Sequence, residues 1–518
     1  MISSRLPAQA GPPAGNADRS AAGCREKERK MNHQKLLQQV FGVTLIVSLV
    51  GCSSPATTPK TLTPTPIPST ATLVPPTPTS IPPTQTPLPP SMTIQEGNNL
   101  PRTLLQAKPS RELVDNRIGG TVMNFWVNLE FEKFPNIEIA NHGFKRVRIT
   151  INEADSYQVD WNTPEALIKP TYDEFITDLA QNDIQIIYNL IFWDKAYHNT
   201  GGEVSSPRFK TEDEIQRYLD YVRFVVNNFS DRVQYYEIWN EPNFKNSIQW
   251  IEVADDIDLT RRSIAIIREE DPEAKIVVGS VHLHDVDSRD YLYAILKSDL
   301  MPMVDVIAWH PMIGLIPNKT ECNGNFYYEY PPIVQEIKDL AKANGFNGEF
   351  SADELHWQTP KTRPDSPCVC SERVCAKYYA RGIFMHLGMD VSVGLVLDTD
   401  DQPVAFSLVR DISTIMAGAN PINLPVEIQS EASNTRIYSF SLLNGDRLVA
   451  LWTDGVAVDD DPGVASTITI PGFSNWNAIG MDVLNGFEQE MITSNENGTL
   501  IIRELLIKDY PIVIRLSK

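Results

Sequence analysis

Ile238-Trp239-Asn240-Glu241-Pro242-Asn243 closes an apolar, β-rich run that begins at Val233. Proline cannot donate to a strand ladder, so the strand stops where a carboxylate is presented. Parallel barrels place their reactive groups at this C-terminal end of the strands. Asn240 adds an amide that can hydrogen-bond a hydroxyl, and Trp239 an apolar face. A lone Glu after a strand is ordinarily a solvated loop residue, so Glu241 needs a partner. One lies in Gly348-Glu349-Phe350-Ser351-Ala352-Asp353-Glu354-Leu355-His356-Trp357, where small and apolar residues lead into two adjacent acids. Asp353-Glu354 also reads as acidic capping of a helix start. Against that, Glu354 follows Glu241 by 113 positions, the span of three further strand–helix units.

Alternation along the chain supports such units. Strands are predicted at 121–126, 146–151, 185–191, 234–240, 275–280, 304–310, 349–354 and 393–398, with helical patterns between several of them. Thr211 and Glu214 form a capping-box pattern ahead of Leu219, Val222, Val225 and Val226 at helical spacing. Eight such strands predict a (β/α)8 barrel over 94–424. From 425 to 518 the pattern changes to short alternating strands. Asn444-Gly445 between two β runs is a hairpin signal. A small antiparallel β-sandwich is expected, with Trp452 and Trp476 as core or edge aromatics.

The two motifs resemble the acid/base and nucleophile motifs of the retaining TIM-barrel glycoside hydrolases of clan A, with family 39 and family 5 the nearest in flavour. That resemblance implies Glu241 as general acid/base, Asn240 as partner of the sugar 2-hydroxyl, and Glu354 as nucleophile. Asp353 stands where relatives often carry Thr or Ser, which leaves it as a second nucleophile candidate; the family pattern favours Glu354. Arg148 matches the strand-2 arginine that clan members keep beside the nucleophile. Asp305-Val306-Ile307-Ala308-Trp309-His310-Pro311 resembles the strand-6 pattern, with His310 at the mouth. Relatives usually follow that His-Pro with Tyr. Here it is Met312, so either Tyr327, Tyr328 or Tyr330 substitutes or the contact is missing. Trp193 and Trp357, just past strands 3 and 7, are candidate sugar platforms. Strand 8 ends in Asp398-Thr399-Asp400-Asp401 where many relatives carry Trp. The resemblance implies cleavage of β-glycosidic bonds in poly- or oligosaccharides, with no metal or organic cofactor. A non-catalytic glycan-binding lipoprotein and a transglycosylase remain alternatives.

The first part of the chain reads as targeting rather than fold. Residues 41–50 are apolar but too short to span a bilayer, as expected of a signal-peptide core. They run into Leu49-Val50-Gly51-Cys52, which resembles a bacterial lipobox with Cys52 as the lipidated residue. Residues 1–52 are thus expected to be an upstream segment and signal peptide, with Met31 a candidate start. Residues 53–93 are expected to be a linker: positions 53–90 hold 13 prolines and 11 threonines. Such a tract favours extended polyproline-like backbone at about 3.1 Å per residue, a reach on the order of 100 Å. The expected location is the bacterial cell surface, with a lipid anchor in the membrane and the rest extracellular or periplasmic.

Four of six cysteines remain beyond Cys24 and Cys52, namely Cys322, Cys368, Cys370 and Cys375. An even number in an exported chain suggests disulfides. Three pairings are possible. Cys368 and Cys370 are too close to pair easily, so Cys322 with one of them and Cys375 with the other is expected. The formal net charge is −21; without residues 1–51 it is more negative still, with 38 basic against 63 acidic residues. So acidic a chain argues against nucleic-acid partners. A monomer is expected.

Overall fold

The computed structural model describes residues 92–123, 140–141, 143–150, 159–160, 167–192, 206–397 and 402–518. Eight parallel strands form the centre: β1 (Ile118–Met123), β2 (Arg146–Thr150), β3 (Gln185–Leu190), β4 (Tyr235–Ile238), β5 (Lys275–His282), β6 (Val306–His310), β7 (Glu349–His356) and β8 (Ser392–Leu395). Each pairs with the next, and Val393 of β8 pairs back to Ile118 of β1, which closes the barrel. Helices α1 (Pro170–Gln181), α2 (Glu212–Phe229), α3 (Val253–Glu270), α4 (Val286–Leu296), α5 (Gly324–Ala343), α6 (Glu372–Gly388) and α7 (Pro403–Ile415) return the chain between strands. Closure leaves no exposed strand edge. No helix among the described residues is long and apolar enough to cross a membrane.

The first strand starts three residues before its expected position and takes in Gly119-Gly120. A Cβ on Gly119 would lie 2.8 Å from the Arg146 carbonyl oxygen, so glycine here permits close strand packing. At Thr211 only half the capping box forms. The Thr211 hydroxyl accepts from the Glu214 amide, while the Glu214 carboxylate turns to Arg208 and the Phe209 amide.

The C-terminal strands are β9 (Asn420–Ile422), β10 (Glu427–Ser430), β11 (Thr435–Ser441), β12 (Arg447–Thr453), β13 (Val464–Pro471), β14 (Asn477–Asp482), β15 (Phe487–Glu490), β16 (Thr493–Glu496), β17 (Thr499–Ile507) and β18 (Ile512–Ser517). They make two antiparallel sheets, as expected of a β-sandwich. The β11–β12 hairpin turns at Asn444-Gly445, where Gly445 takes φ +94°. The sandwich also claims residues expected in the barrel. The strand Arg102–Leu104 pairs with β15, and β9 pairs with β11. Edge backbone groups of the sandwich need partners, and these two short segments supply them.

Helix α6 carries the contact between the two parts and is buried from Val374 to Leu387. Lys377 pairs with Asp509 at 2.7 Å, and Arg381 donates to the Asp509 and Gly455 carbonyls. Tyr327 of α5 donates to Asp454, which also accepts from Trp452 and Arg436.

Disulfides join Cys322 to Cys368 and Cys370 to Cys375. The first ties the loop after β6 to the loop after β7 across 46 positions of sequence. Closing a loop of that length stabilises by about 2–4 kcal/mol through lost unfolded-state entropy. Replacing both Cys322 and Cys368 by Ala is expected to lower unfolding free energy by that amount in urea titrations, with the fold retained in circular dichroism.

Candidate active site

Two breaks in strand regularity build the site. The pairing of β7 with β8 shifts register between Ala352 and Leu355. Alternation would send Asp353 and Glu354 to opposite faces. The irregularity lets both approach Arg148 from the barrel's upper end. In β5 the register against β6 shifts between Gly279 and Val281, and Ser280 takes φ +44°. Bulges of this kind re-aim side chains next to functional sites. Ser280 thereby donates its hydroxyl to Glu237, and its carbonyl accepts the Glu241 amide at 2.9 Å.

The end of β4 is also held in unusual backbone. Trp239 and Glu241 take φ +64° and +45°, a region costly for residues with a Cβ. Trp239 is turned into the core. It meets Phe209 and Tyr218 edge-on, lies under the Arg208 guanidinium, and donates to the Gln249 carbonyl. It therefore offers no face to a ligand. Asn189 caps its carbonyl at 2.6 Å. The twist places Asn240 and Glu241 together beside Arg148 and His310.

Arg148 is 2% exposed and organises the site. Its Nη1 donates to Glu354 Oε1 at 2.6 Å, and its Nη2 to Asn240 Oδ1 at 2.6 Å. Nε and Nη2 donate to the two oxygens of Glu237 at 2.5 and 3.0 Å. Asp353 Oδ2 stands 3.5 Å from Nε. His310, fully buried at the end of β6, faces Glu241 Oε1 through Nδ1 at 3.0 Å and Glu354 Oε2 at 3.7 Å. One oxygen each of Glu241 and Glu354, with a His310 nitrogen, lie within 4.8 Å of one another. Glu237, His310 and Asp353 form a second such group. A divalent cation would suit either spacing, but the Arg148 guanidinium already supplies the positive charge among these carboxylates.

The electrostatics separate the acids. Burial pushes Glu241 up, with His282 and Arg148 pulling the other way. Burial also pushes Glu354 up, opposed by His310 and by the charge and hydrogen bond of Arg148. Burial alone would raise Glu237, yet Arg148 and Ser280 hold it below the usual carboxylate range. His310 is pushed down to about 4, chiefly by burial, so its imidazole is neutral at pH 7.

Of the residues expected at the site, Glu241, Glu354, Asn240, Arg148 and His310 converge. Trp357 does not. It is 1% exposed, donates to the Leu315 carbonyl, and packs against Tyr378 and Tyr379 under α6. The chain turns its ring behind β7, where a sugar cannot reach it. Trp193, Cys52 and the acidic end of strand 8 lie outside the described residues. None of the three tyrosines replaces the missing contact at Met312: Tyr327 and Tyr328 donate to Asp454, and Tyr330 bonds Trp309 and His386.

Sequence reasoning missed Glu237, Ser280 and His282. The signal for Glu237 was a charge two positions along an apolar strand from Tyr235, on the inward face with Arg148. His282 lies at the end of β5 beside Glu241 and is pushed down by burial.

Residues 117–347 match the family model for cellulase, glycosyl hydrolase family 5. The match takes in Arg148, Asn240, Glu241 and His310 and ends before Glu354. No curated protein sequence matches the chain. Among solved structures, a family 39 glycoside hydrolase from the gut symbiont Bacteroides cellulosilyticus WH2 superposes with TM-score 0.56 at 14% identity, over 79% of this chain and 82% of that one. A family 39 enzyme from Xanthomonas axonopodis pv. citri and a monomeric beta-xylosidase from Caulobacter crescentus CB15 each reach 0.50, at 12% and 11% identity. Both cover 80% of this chain, and 96% and 98% of their own. Identities this low speak to the fold. The family 5 match, set on this fold, supports a glycoside hydrolase of clan A.

Glu237→Gln tests the charge balance around Arg148. Breaking a buried pair costs about 3–5 kcal/mol, so the variant should melt well below wild type. An unchanged melting curve would mean that Glu237 does not hold Arg148.

Proposed function

We propose that the protein is a retaining β-glycosidase acting on poly- or oligosaccharides. The observation that carries this is the approach of Glu241 and Glu354 oxygens to within 4.8 Å. Retaining enzymes hold their two carboxyls about 5–5.5 Å apart, and inverting ones about 6.5–9.5 Å to admit a water. Roles follow from the surroundings. Arg148 gives Glu354 a charge-assisted hydrogen bond, which favours an ionised nucleophile. Among the described residues no cation donates a hydrogen bond to Glu241, and it is buried, which favours the proton it must deliver.

In the first step a Glu354 oxygen bonds to the anomeric carbon. The glycosidic C–O bond breaks, and the leaving oxygen takes the Glu241 proton. In the second, the Glu241 carboxylate removes a proton from water. The water oxygen bonds to the anomeric carbon, and Glu354 leaves as carboxylate. Asn240 is fixed through Oδ1 on Arg148, and its amide, 3.4 Å from Gln249 Oε1, is the donor we assign to the sugar 2-hydroxyl.

The same reading places the enzyme outside the cytoplasm, tethered through lipidated Cys52 and the Pro/Thr-rich linker. The lipobox-like Leu49-Val50-Gly51-Cys52 and the two disulfides support an oxidising, exported setting.

Glu241→Gln tests the acid role. Glycosides with poor leaving groups should lose turnover by about 10²–10⁴-fold, and activated aryl glycosides far less. Equal loss on both classes would contradict it.

A further inference from the structure

Asp353 is a buried carboxyl that the two-carboxylate chemistry does not use. It adjoins the nucleophile and is 1% exposed, and neither of its oxygens accepts a hydrogen bond. Its Oδ1 lies 3.5 Å from His310 Nε2, which has no hydrogen-bond partner. The other imidazole nitrogen, Nδ1, is the one that meets Glu241 at 3.0 Å. His310 therefore stands as a bridge with Glu241 on one side and Asp353 on the other. Asp353 is fixed from behind, since its carbonyl accepts from Thr121 at 2.8 Å. A small pocket lined by Gly119, Gly120, Ser351 and Gly394 adjoins the carboxyl.

We propose that Asp353 is a positioning residue for the acid/base: its carboxyl O–H donates to His310 Nε2 and so commits the Nδ1 proton to Glu241. The proposal rests on Glu241 being the acid/base.

The groups facing Asp353 agree with this. From β4, Glu237 has both oxygens engaged by Arg148 and Ser280. From β2, Arg148 is committed to Glu237, Glu354 and Asn240. From β6 comes His310, and along β7 comes Glu354. Burial, the charges of Glu237 and Glu354 and a hydrogen bond with Glu237 push Asp353 well above the usual carboxylate range, against the pull of Arg148. A neutral carboxyl has a proton to donate; Glu237, already engaged by Arg148 and Ser280, competes for it with the unpartnered Nε2. A neutral imidazole carries a single N–H, so a donor at Nε2 leaves that hydrogen on Nδ1.

The consequence falls on Glu241. A hydrogen bond from Nδ1–H to Oε1 favours the carboxylate form, which eases the base step after the acid step. It also leaves the other Glu241 oxygen to carry the catalytic proton. Without Asp353, the nearby Glu237 carboxylate favours the opposite tautomer, with hydrogen on Nε2. Bare Nδ1 then accepts from the Glu241 O–H and retains that proton.

The test is the pH profile of kcat/KM on a glycoside with a poor leaving group. Asp353→Ala should move the alkaline limb upward by on the order of one pH unit, the worth of one hydrogen bond. Asp353→Asn, whose amide can still donate to Nε2, should keep the wild-type limb. An unmoved limb in Asp353→Ala, or equal shifts in both variants, would overturn the proposal. Glu241→Gln is the control: a limb that survives it fails the acid/base reading itself, not the role of Asp353. Should Asp353→Ala not fold, ¹⁵N spectra of histidine-labelled wild type, with His310→Gln to identify the signals, decide the matter. Protonated Nδ1 with bare Nε2 is expected; the reverse overturns it.

Discussion

One guanidinium group holds this site together. Arg148 lies out of water among Glu237, Asp353, Glu354 and Asn240, and every donor it aims at them is directed by the strands around it. A buried charge without partners is costly, and a buried pair stabilises only when geometry and hydrogen bonding are good. Here Glu237 takes two of the donors, so the arginine is fixed before any ligand arrives. Glu354 and Asn240 are then placed by what remains. The hydrogen bond on Glu354 and the orientation of Asn240 thus have one cause.

The backbone bears the cost of that arrangement. Trp239, Glu241 and Ser280 adopt left-handed conformations, and two strands slip register where the acids and Ser280 sit. Strain of this kind persists only where the surroundings over-determine it. At β4 they do: Trp239 is locked by Phe209, Tyr218 and Arg208, and its carbonyl by Asn189. The rigid core behind the strand end is what keeps Glu241 forward. The sandwich, held to the barrel through α6, and the Cys322–Cys368 bridge brace neighbouring elements of the same barrel.

Much of this was legible in the sequence. The Asn-Glu-Pro ending of β4, the acidic pair of β7 and the arginine of β2 are local patterns, and each lands at the site. Seven barrel strand positions and the β11–β12 hairpin of the sandwich were legible too. What escaped reading depends on register. Glu237 looks like one polar residue in an apolar strand until alternation places it opposite Arg148, and Ser280 matters only through a bulge that no composition announces. Trp357 shows the converse. A tryptophan beyond a strand end reads alike whether it lines a pocket or fills the space under a helix, and here Tyr378 and Tyr379 fill that space with it. Gly119-Gly120 fell outside the expected first strand because the need for close packing against Arg146 lies in another strand. The short strand Arg102–Leu104 is separated from its partner β15 by about three quarters of the chain, so nothing local ties them.

The central claim is that Glu354, hydrogen-bonded by Arg148, attacks the anomeric carbon. The measurement closest to it is intact mass of the protein after incubation with a panel of 2-deoxy-2-fluoro glycosides, followed by peptide mapping. A one-sugar adduct on Glu354 is predicted, and the donor that forms it names the sugar. An adduct on Asp353, or none with any donor on folded protein, would contradict the account.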